Sequence, residues 1–164
     1  MNKEIYLNDE NATATLASSL ASLLVIEDVI AIYGDLGVGK TAFTRHLIHN
    51  LIGHNNDQVT SPTFNLVQLY ETQKGTVWHF DLMRLANKHD VYELAIEEAF
   101  NFGISVIEWP GIIEDILPKD RLELHFYFAD AGASVQDISS CRRGVIIKAF
   151  GKWCERILLL NRNL

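Results

Sequence analysis

A glycine-rich loop constrains the fold of this chain more than any other stretch. Residues 34–41 read GDLGVGKT and match the spacing GxxxxGK[ST], after an apolar strand pattern at 29–33 and before a helical pattern at 41–52. Glycines adopt backbone conformations that other residues avoid, so successive amide N–H groups can point at phosphate oxygens beside a positive helix N-terminus. The order strand, loop, helix therefore predicts nucleotide binding by an α/β protein.

The rest of the chain alternates between helical and strand patterns. Leucines recur at helical spacing over residues 12–25, and β-rich runs at 65–71 and 76–81 flank a turn, which predicts a hairpin. The remaining predicted elements are a helix at 91–100, strands at 104–108, 121–128 and 144–150, and short helices at 111–116 and near 153–160. We expect one domain over residues 1–164, a single-domain P-loop NTPase with a mixed, mostly parallel sheet, helices on both faces and an antiparallel hairpin.

Composition excludes several other classes of protein. A chain of 164 residues that is 48% hydrophobic suffices for one core, and its net charge of −7 disfavours a free-standing nucleic-acid binder. The two cysteines, Cys141 and Cys154, lack the spacing of a metal site and indicate no disulfide. No run approaches the roughly 18 apolar residues of a membrane span, so we expect a cytoplasmic protein without a membrane partner.

The end of the chain is locally basic. From residue 141 onward six lysines and arginines stand against a single glutamate. A solvated helix and turn is the favoured interpretation of this segment, and contact with nucleic acid is the alternative. We therefore expect charge reversal at Arg142 and Arg143 to leave nucleotide binding intact.

The loop supplies most of the candidate binding residues. Lys40 is expected to reach the β and γ phosphates, and the Thr41 hydroxyl is expected to bind Mg²⁺. The predicted ATP-binding residues of this segment are Gly34, Asp35, Leu36, Gly37, Val38, Gly39, Lys40, Thr41 and Ala42.

Two carboxylates complete the predicted catalytic set with Lys40. Asp81 and Glu108 each close a strand pattern, where α/β sheets place their ligands, although either one alone could be a helix cap or a surface charge. Glu108 ends an apolar run typical of a buried parallel strand, so we assign it to Mg²⁺. Asp81 ends a hairpin strand, so we assign it to the attacking water or to coupling with a loop; the reverse assignment stays open.

Three further features are ambiguous in the sequence. Thr63, in a Ser-Pro-Thr corner, is either a γ-phosphate sensor or part of a Pro-fixed turn. Trp109 either lines the nucleotide pocket or covers the sheet edge. The six histidines indicate no metal site. His79, one residue after Trp78 and two before Asp81, is the exception to keep as a candidate, although a packed strand histidine is its default interpretation.

One motif points toward guanine and is rejected. Residues 87–90 read NKHD and match the NKxD motif of GTPases, but no buried apolar strand precedes them. The spacing Asp90-x-x-Glu93 instead favours helix capping. We therefore expect adenine, and ATP as the nucleotide.

Four motifs in order, GDLGVGKT, SPTFNLV, HFDLMRL and IEWP, lie within residues 29–110. In this combination the chain resembles the bacterial tRNA threonylcarbamoyladenosine-biosynthesis ATPase family, TsaE or YjeE. The resemblance implies a small, slow Mg²⁺-dependent ATPase that works with the transferase subunit TsaD and the scaffold TsaB. That complex places a threonylcarbamoyl group on the adenosine beside the anticodon (t6A), and tRNA would be contacted only through the complex.

The resemblance also implies roles for individual residues. The loop from Gly34 to Thr41 would bind ATP, Thr63 would lie in a switch-like loop, and Asp81 and Glu108 would serve Mg²⁺ and hydrolysis. Trp109 would lie near the nucleotide. This chain departs from the family pattern at Ala42, where a second threonine is usual, and at Met83, where a tyrosine is usual.

Two other functions fit the same loop. A small-molecule P-loop kinase has a similar length, and Arg142 and Arg143 would then be lid arginines, although the stretch such kinases use for a second substrate is here a hairpin. An ATP-dependent assembly module without significant hydrolysis shares every motif with the ATPase. Turnover and association with partners separate these alternatives.

Overall fold

The computed structural model describes residues 2–53, 59–129 and 142–162, with side chains as far as Leu160. Cys141 lies outside the described residues. Seven strands form one sheet in the order β1-β7-β6-β2-β5-β4-β3. They are β1 (Asn2–Leu7), β2 (Val29–Tyr33), β3 (Val67–Thr72), β4 (Gly75–Asp81), β5 (Ile104–Glu108), β6 (Leu122–Phe128) and β7 (Arg143–Ala149).

The parallel part of the sheet is its centre. Strands β6, β2, β5 and β4 run parallel, whereas β1 and β7 on one side and β3 on the other join by antiparallel pairing. The predicted hairpin is β3 and β4, with its turn at residues 73–74. The fold prediction, a mixed sheet with a parallel centre and an antiparallel hairpin, is confirmed.

Helices cover both faces of the sheet. Helices α1 (Glu10–Leu23) and α2 (Lys40–Ile52) pack on one face, and α3 (Ile96–Phe102) packs on the other. The short helix α4 (Trp153–Arg156) returns to the first face, where Trp153 is fully buried. Segments of 3₁₀ helix occupy Lys88–Leu94, Pro110–Ile116 and Ile157–Arg162.

Local signals explain the helix ends. The Asp9 side chain accepts a hydrogen bond from the Ala12 backbone N–H at 2.7 Å and caps α1, as a residue of this type does at an N-cap. Gly39, with φ of 110°, lets the loop turn into α2, and Gly53, with φ of 79°, ends that helix. Within the described residues, no helix is long and apolar enough to cross a membrane.

Strand β1 is an element that the sequence pattern did not predict. It pairs along its length with β7 at the sheet edge, and only Leu7 of its side chains is buried. An edge strand with polar residues and one covered face carries a weak hydrophobic pattern, so backbone pairing determines it. The same pairing corrects our interpretation of the basic segment, because Arg143 begins β7 and does not lie in a solvated turn.

Candidate functional site

The glycine loop is clamped against the sheet. A Cβ at Gly34, whose φ is 132°, would lie 2.4 Å from the Phe126 carbonyl oxygen of β6. No other residue type fits so close to backbone in that conformation. The backbone of the loop after β2 is therefore restricted to one conformation, which places Lys40 and Thr41 in the first turn of α2.

Lys40 is nearly buried inside this loop. Its side-chain ammonium donates hydrogen bonds to the carbonyl oxygens of Gly34 and Asp35, each at 2.7 Å, and lies 3.8 Å from the centre of the Trp109 ring. Burial lowers the pKa of Lys40, and the carboxylates of Glu108, Asp35 and Asp81 oppose that shift. The cation is held by carbonyls and an aromatic face at the wall of the cleft.

Glu108 closes the opposite wall at the end of β5. One of its oxygens, Oε2, accepts a hydrogen bond from the Thr41 hydroxyl at 2.8 Å, and the other, Oε1, lies 3.0 Å from His79 Nε2. The Glu108 side chain is 1% exposed. Two contacts from different elements thus fix the plane of a buried carboxylate beside the loop.

Asp81 ends β4, directly opposite Glu108 in the parallel register. Its Oδ2 accepts hydrogen bonds from the hydroxyls of Ser61 and Thr63, both at 3.1 Å, and its Oδ1 accepts one from the Met83 backbone N–H at 3.2 Å. Thr63 therefore contacts the second carboxylate directly.

A cleft of about 460 Å³ gathers these groups. Of the predicted residues, those lining it are Leu36, Gly37, Gly39, Lys40, Thr41, Ala42, Thr63, Asp81, Glu108 and Trp109. Gly34 and Asp35 act through the carbonyls that hold Lys40, whereas the Val38 side chain is buried in the core. Trp109 lines the cleft, so the alternative that it only covers the sheet edge is wrong.

The donor atoms suit a magnesium ion bound together with phosphates. Among the described residues no group of three or more histidine, cysteine, aspartate or glutamate side chains is arranged to hold a metal. The Thr41 hydroxyl and the Glu108 carboxylate are oxygen donors, and Mg²⁺ commonly takes one or two protein oxygens and completes its shell with water and substrate phosphates. Thr41 and Glu108 fit that ion.

A second hollow, of about 300 Å³, adjoins the loop on its other side. Its walls include Thr13, Phe126 and Arg143, together with loop residues that also reach the first cleft. A Cβ at Gly39 would lie 3.6 Å from Arg143 Cδ, and Arg143 Nε is buried without a hydrogen-bond partner among the described residues. Arg143 therefore lies next to the loop, which favours an effect of this residue on nucleotide binding over our expectation that its charge reversal leaves binding intact.

The NKHD segment lies outside both hollows. Asn87 caps the 3₁₀ segment by accepting a hydrogen bond from the His89 backbone N–H at 3.0 Å, and Lys88 forms an ion pair with Asp115. The capping interpretation holds, but the capping side chain is Asn87 and not Asp90, which lies inside the segment. A cap needs a side chain before the first turn, and Asn87 has that position.

The predicted site omitted Ser61, His79 and Arg143. Ser61 carried a signal, because it shares the Ser-Pro-Thr corner with Thr63, and His79 carried a weaker one, because it lies two residues before Asp81. Arg143 was considered only as a lid arginine of a kinase, since a basic residue 104 positions after Gly39 acquires its neighbours only through the sheet order.

The glycine loop before α2, the strand-end carboxylates and the parallel centre of the sheet define an α/β protein of the P-loop NTPase class. The crystal structure of Bacillus subtilis YdiB has the same fold, with a TM-score of 0.73 and 24% identity over 99% of this chain and 95% of that one. The sequence profile described as "Threonylcarbamoyl adenosine biosynthesis protein TsaE" matches residues 7–135.

Curated relatives agree with that profile. The chain is 39% identical to a Rickettsia bellii protein over 79% of this chain and 90% of the relative. It is 34% identical to a Haemophilus influenzae protein over 88% of this chain and 95% of that relative. Both relatives are named tRNA threonylcarbamoyladenosine biosynthesis protein TsaE. The chain belongs to the TsaE family of threonylcarbamoyl adenosine biosynthesis proteins.

Proposed function

We propose that this chain binds Mg²⁺ and ATP in the cleft between Lys40, Asp81 and Glu108, and hydrolyses the ATP during t6A modification of tRNA in the cytoplasm. One observation carries the proposal. The Thr41 hydroxyl that follows Lys40 is hydrogen bonded to a buried strand-end carboxylate, Glu108, at 2.8 Å. That pair is the arrangement expected for a P-loop serine or threonine and an acidic residue that share a magnesium ion.

Each wall of the cleft has a distinct part in this proposal. Loop amides receive the phosphates, and the Lys40 ammonium balances the negative charge that builds up on the transferred phosphoryl group. When bound, Mg²⁺ would neutralise the β and γ phosphates between Thr41 and Glu108. Asp81 lies across from Glu108 at the same strand ends, where its carboxylate orients the attacking water or reports the position of the Ser61 and Thr63 loop.

The second hollow is the place for the nucleoside. In this proposal the γ-phosphate lies beside Glu108 and Thr63, which line the first cleft, and the nucleoside lies in the second hollow, which shares Gly39 and Ala42 with that cleft. Arg143 supplies a cation there, next to the loop. With the NKHD segment outside both hollows, nothing among the lining residues matches a guanine-reading motif, which favours ATP over GTP.

Hydrolysis would serve a complex. Family membership supports a place in the t6A pathway, and we propose TsaD and TsaB as the partners, with tRNA contacted through them. Small-molecule kinase activity is less well supported, because residues 67–81, between α2 and β5, form the β3–β4 hairpin of the main sheet.

The test combines turnover with association. The purified chain is incubated with TsaD, TsaB and Mg·ATP, and products and retained proteins are measured with and without nucleotide. We expect ADP and inorganic phosphate in equal amounts and nucleotide-dependent retention with both partners. Retention without ADP formation would identify an assembly module, and transfer of phosphate to a small molecule would identify a kinase; either result contradicts the proposal.

A further inference from the structure

His79 is a buried polar side chain that the proposed function leaves without a part. It belongs to β4, two residues before Asp81, and its side chain is fully buried. Its neighbours on the same face of the sheet, Val77 and Val106, belong to the hydrophobic core. An imidazole in such surroundings costs free energy unless both ring nitrogens find partners.

Only one ring nitrogen of His79 has a partner among the described residues. Nε2 lies 3.0 Å from Glu108 Oε1, whereas Nδ1 has no hydrogen-bond partner there. A carboxylate accepts hydrogen bonds, so we assign Nε2 as the donor of this bond. An apolar side chain would fill this position without an unpaired nitrogen, so the bond to Glu108 is what the imidazole adds.

The hydrogen bond from His79 reaches Glu108 from the core side, away from the cleft. His79 is absent from the lining of the cleft, while Thr41, which holds the other oxygen of the same carboxylate, lines it. The carboxylate is therefore anchored at Oε1 from the core and presented at Oε2 toward the cleft. Metal-binding groups in proteins are commonly oriented in this way by a hydrogen bond from outside the coordination shell.

We infer that His79 is a positioning residue, whose Nε2–H fixes the Glu108 carboxylate in the orientation that binds the magnesium ion of the Mg·nucleotide complex. This inference rests on the proposed function, since it assumes that Glu108 serves the metal. It predicts a defect in metal affinity, with nucleotide affinity in the absence of metal left as in the wild type.

Two amide substitutions at one position separate donor placement from packing. His79→Gln places its amide nitrogen near the position of Nε2, whereas His79→Asn places the same group near Nδ1, and His79→Phe keeps a ring without a donor. Affinity for Mn²⁺, used as the paramagnetic probe of the site, is measured with a non-hydrolysable ATP analogue. We expect His79→Asn and His79→Phe to bind Mn²⁺ about 10–100-fold more weakly than the wild type, and His79→Gln to stay close to it.

A matched control comes from a second histidine with a glutamate partner. His125 Nε2 lies 3.0 Å from Glu123 Oε2 on β6, outside the cleft, so His125→Asn should leave Mn²⁺ affinity unchanged. Nucleotide affinity in EDTA and thermal unfolding are measured for every variant. Equal Mn²⁺ affinity in the Gln and Asn variants, or a metal defect that follows only the loss of thermal stability, would overturn the inference.

A measurement on the unsubstituted chain keeps the test valid if variants fail to fold. Histidine ring ¹H–¹⁵N correlation spectra should show His79 protonated at Nε2, with a resonance that shifts when Mg²⁺ is added to the nucleotide complex. A proton on Nδ1 alone, or no response to Mg²⁺ in a chain that binds it, would contradict the inference. If the wild type binds nucleotide but no Mn²⁺ or Mg²⁺, the proposed metal site itself fails, which is a different result.

Discussion

Asp81 and Glu108 lie opposite each other on neighbouring strands, yet the molecule holds them in different ways. Glu108 is bonded to Thr41 in the first turn of α2 and to His79 in β4, both within regular elements. The Oδ2 atom of Asp81 is bonded to two hydroxyls, those of Ser61 and Thr63, from the irregular stretch at residues 59–66 that precedes β3. One carboxylate is part of the rigid frame, and the other is tied to a loop.

The loop that carries Ser61 and Thr63 is also hydrogen bonded to the sheet through its backbone. Leu66, in the left-handed region with φ of 62°, accepts a hydrogen bond at its carbonyl from the Asp81 backbone N–H at 2.9 Å. Phe64, which lies between Thr63 and the hydrogen-bonded Leu66, is 86% exposed. A shift of the loop would therefore free Oδ2 of Asp81 while its Oδ1 stays bonded to the Met83 backbone. In the proposed function, Glu108 would therefore bind the metal, and Asp81 would respond to the position of the loop.

The largest expected effect is at Lys40, which lines the same cleft as both carboxylates. In the proposed function, Lys40→Ala removes the cation that would hold phosphate and offset charge in the transition state, so ATP turnover should fall by at least about 10²–10³-fold. Lys88→Ala, which removes only an ion pair outside the cleft, is the matched control and should turn over ATP like the wild type. Normal ATP turnover by Lys40→Ala would show that the glycine loop does not take part in catalysis.

A smaller effect is expected where the loop meets Asp81. Thr63→Val removes one hydrogen bond to a charged acceptor, and single-turnover hydrolysis should slow by about tenfold while Mg·ATP affinity is kept. Thr76→Val is a matched control, because its hydroxyl bonds to Glu71 on the hairpin, away from the cleft. If Thr63→Val lost Mg·ATP affinity, the loop would contribute to binding of the ground state. That result would contradict the proposal that Asp81 and its loop act only in hydrolysis.

Arg143 tests the opposite side of the loop. Arg143→Ala should weaken ATP binding by about tenfold, since it removes the cation that the proposed function places beside the nucleotide, and the rate of the bound complex should be nearly unchanged. Lys148→Ala, farther along the same strand, serves as the control. Unchanged affinity in equilibrium binding of Arg143→Ala would show that the second hollow does not hold the nucleoside.

For Asp90 we expect no effect on nucleotide preference. Asp90→Asn should leave the preference for ATP over GTP unchanged in competition binding, because the NKHD segment lies outside both hollows. Asn87→Ala should instead lower the free energy of unfolding by about 0.5–2 kcal/mol through loss of a helix cap. If the wild type preferred GTP and Asp90→Asn lost that preference, the NKHD segment would be a guanine-binding motif after all.

Local spacing was enough to predict the loop, α2 and the strands that end in Asp81 and Glu108. Each of these depends on residues close together in the chain, such as Gly53 at the end of α2. Strand β1 was missed because an exposed edge strand is determined by pairing with β7, far away in sequence. The contacts of His79 with Glu108 and of Arg143 with Gly39 were not predicted for the same reason, since tertiary pairing brings these side chains together.

The division of labour between the carboxylates is tested most directly by measuring Mg·ATP affinity and single-turnover hydrolysis in Glu108→Gln and Asp81→Asn. We expect Glu108→Gln to lose Mg²⁺-dependent nucleotide affinity. Asp81→Asn should bind Mg·ATP like the wild type and lose hydrolysis, because an interaction made mainly in the transition state affects kcat and not KM. If Asp81→Asn loses its Mg²⁺ dependence while Glu108→Gln binds normally, the roles are reversed and the account is contradicted.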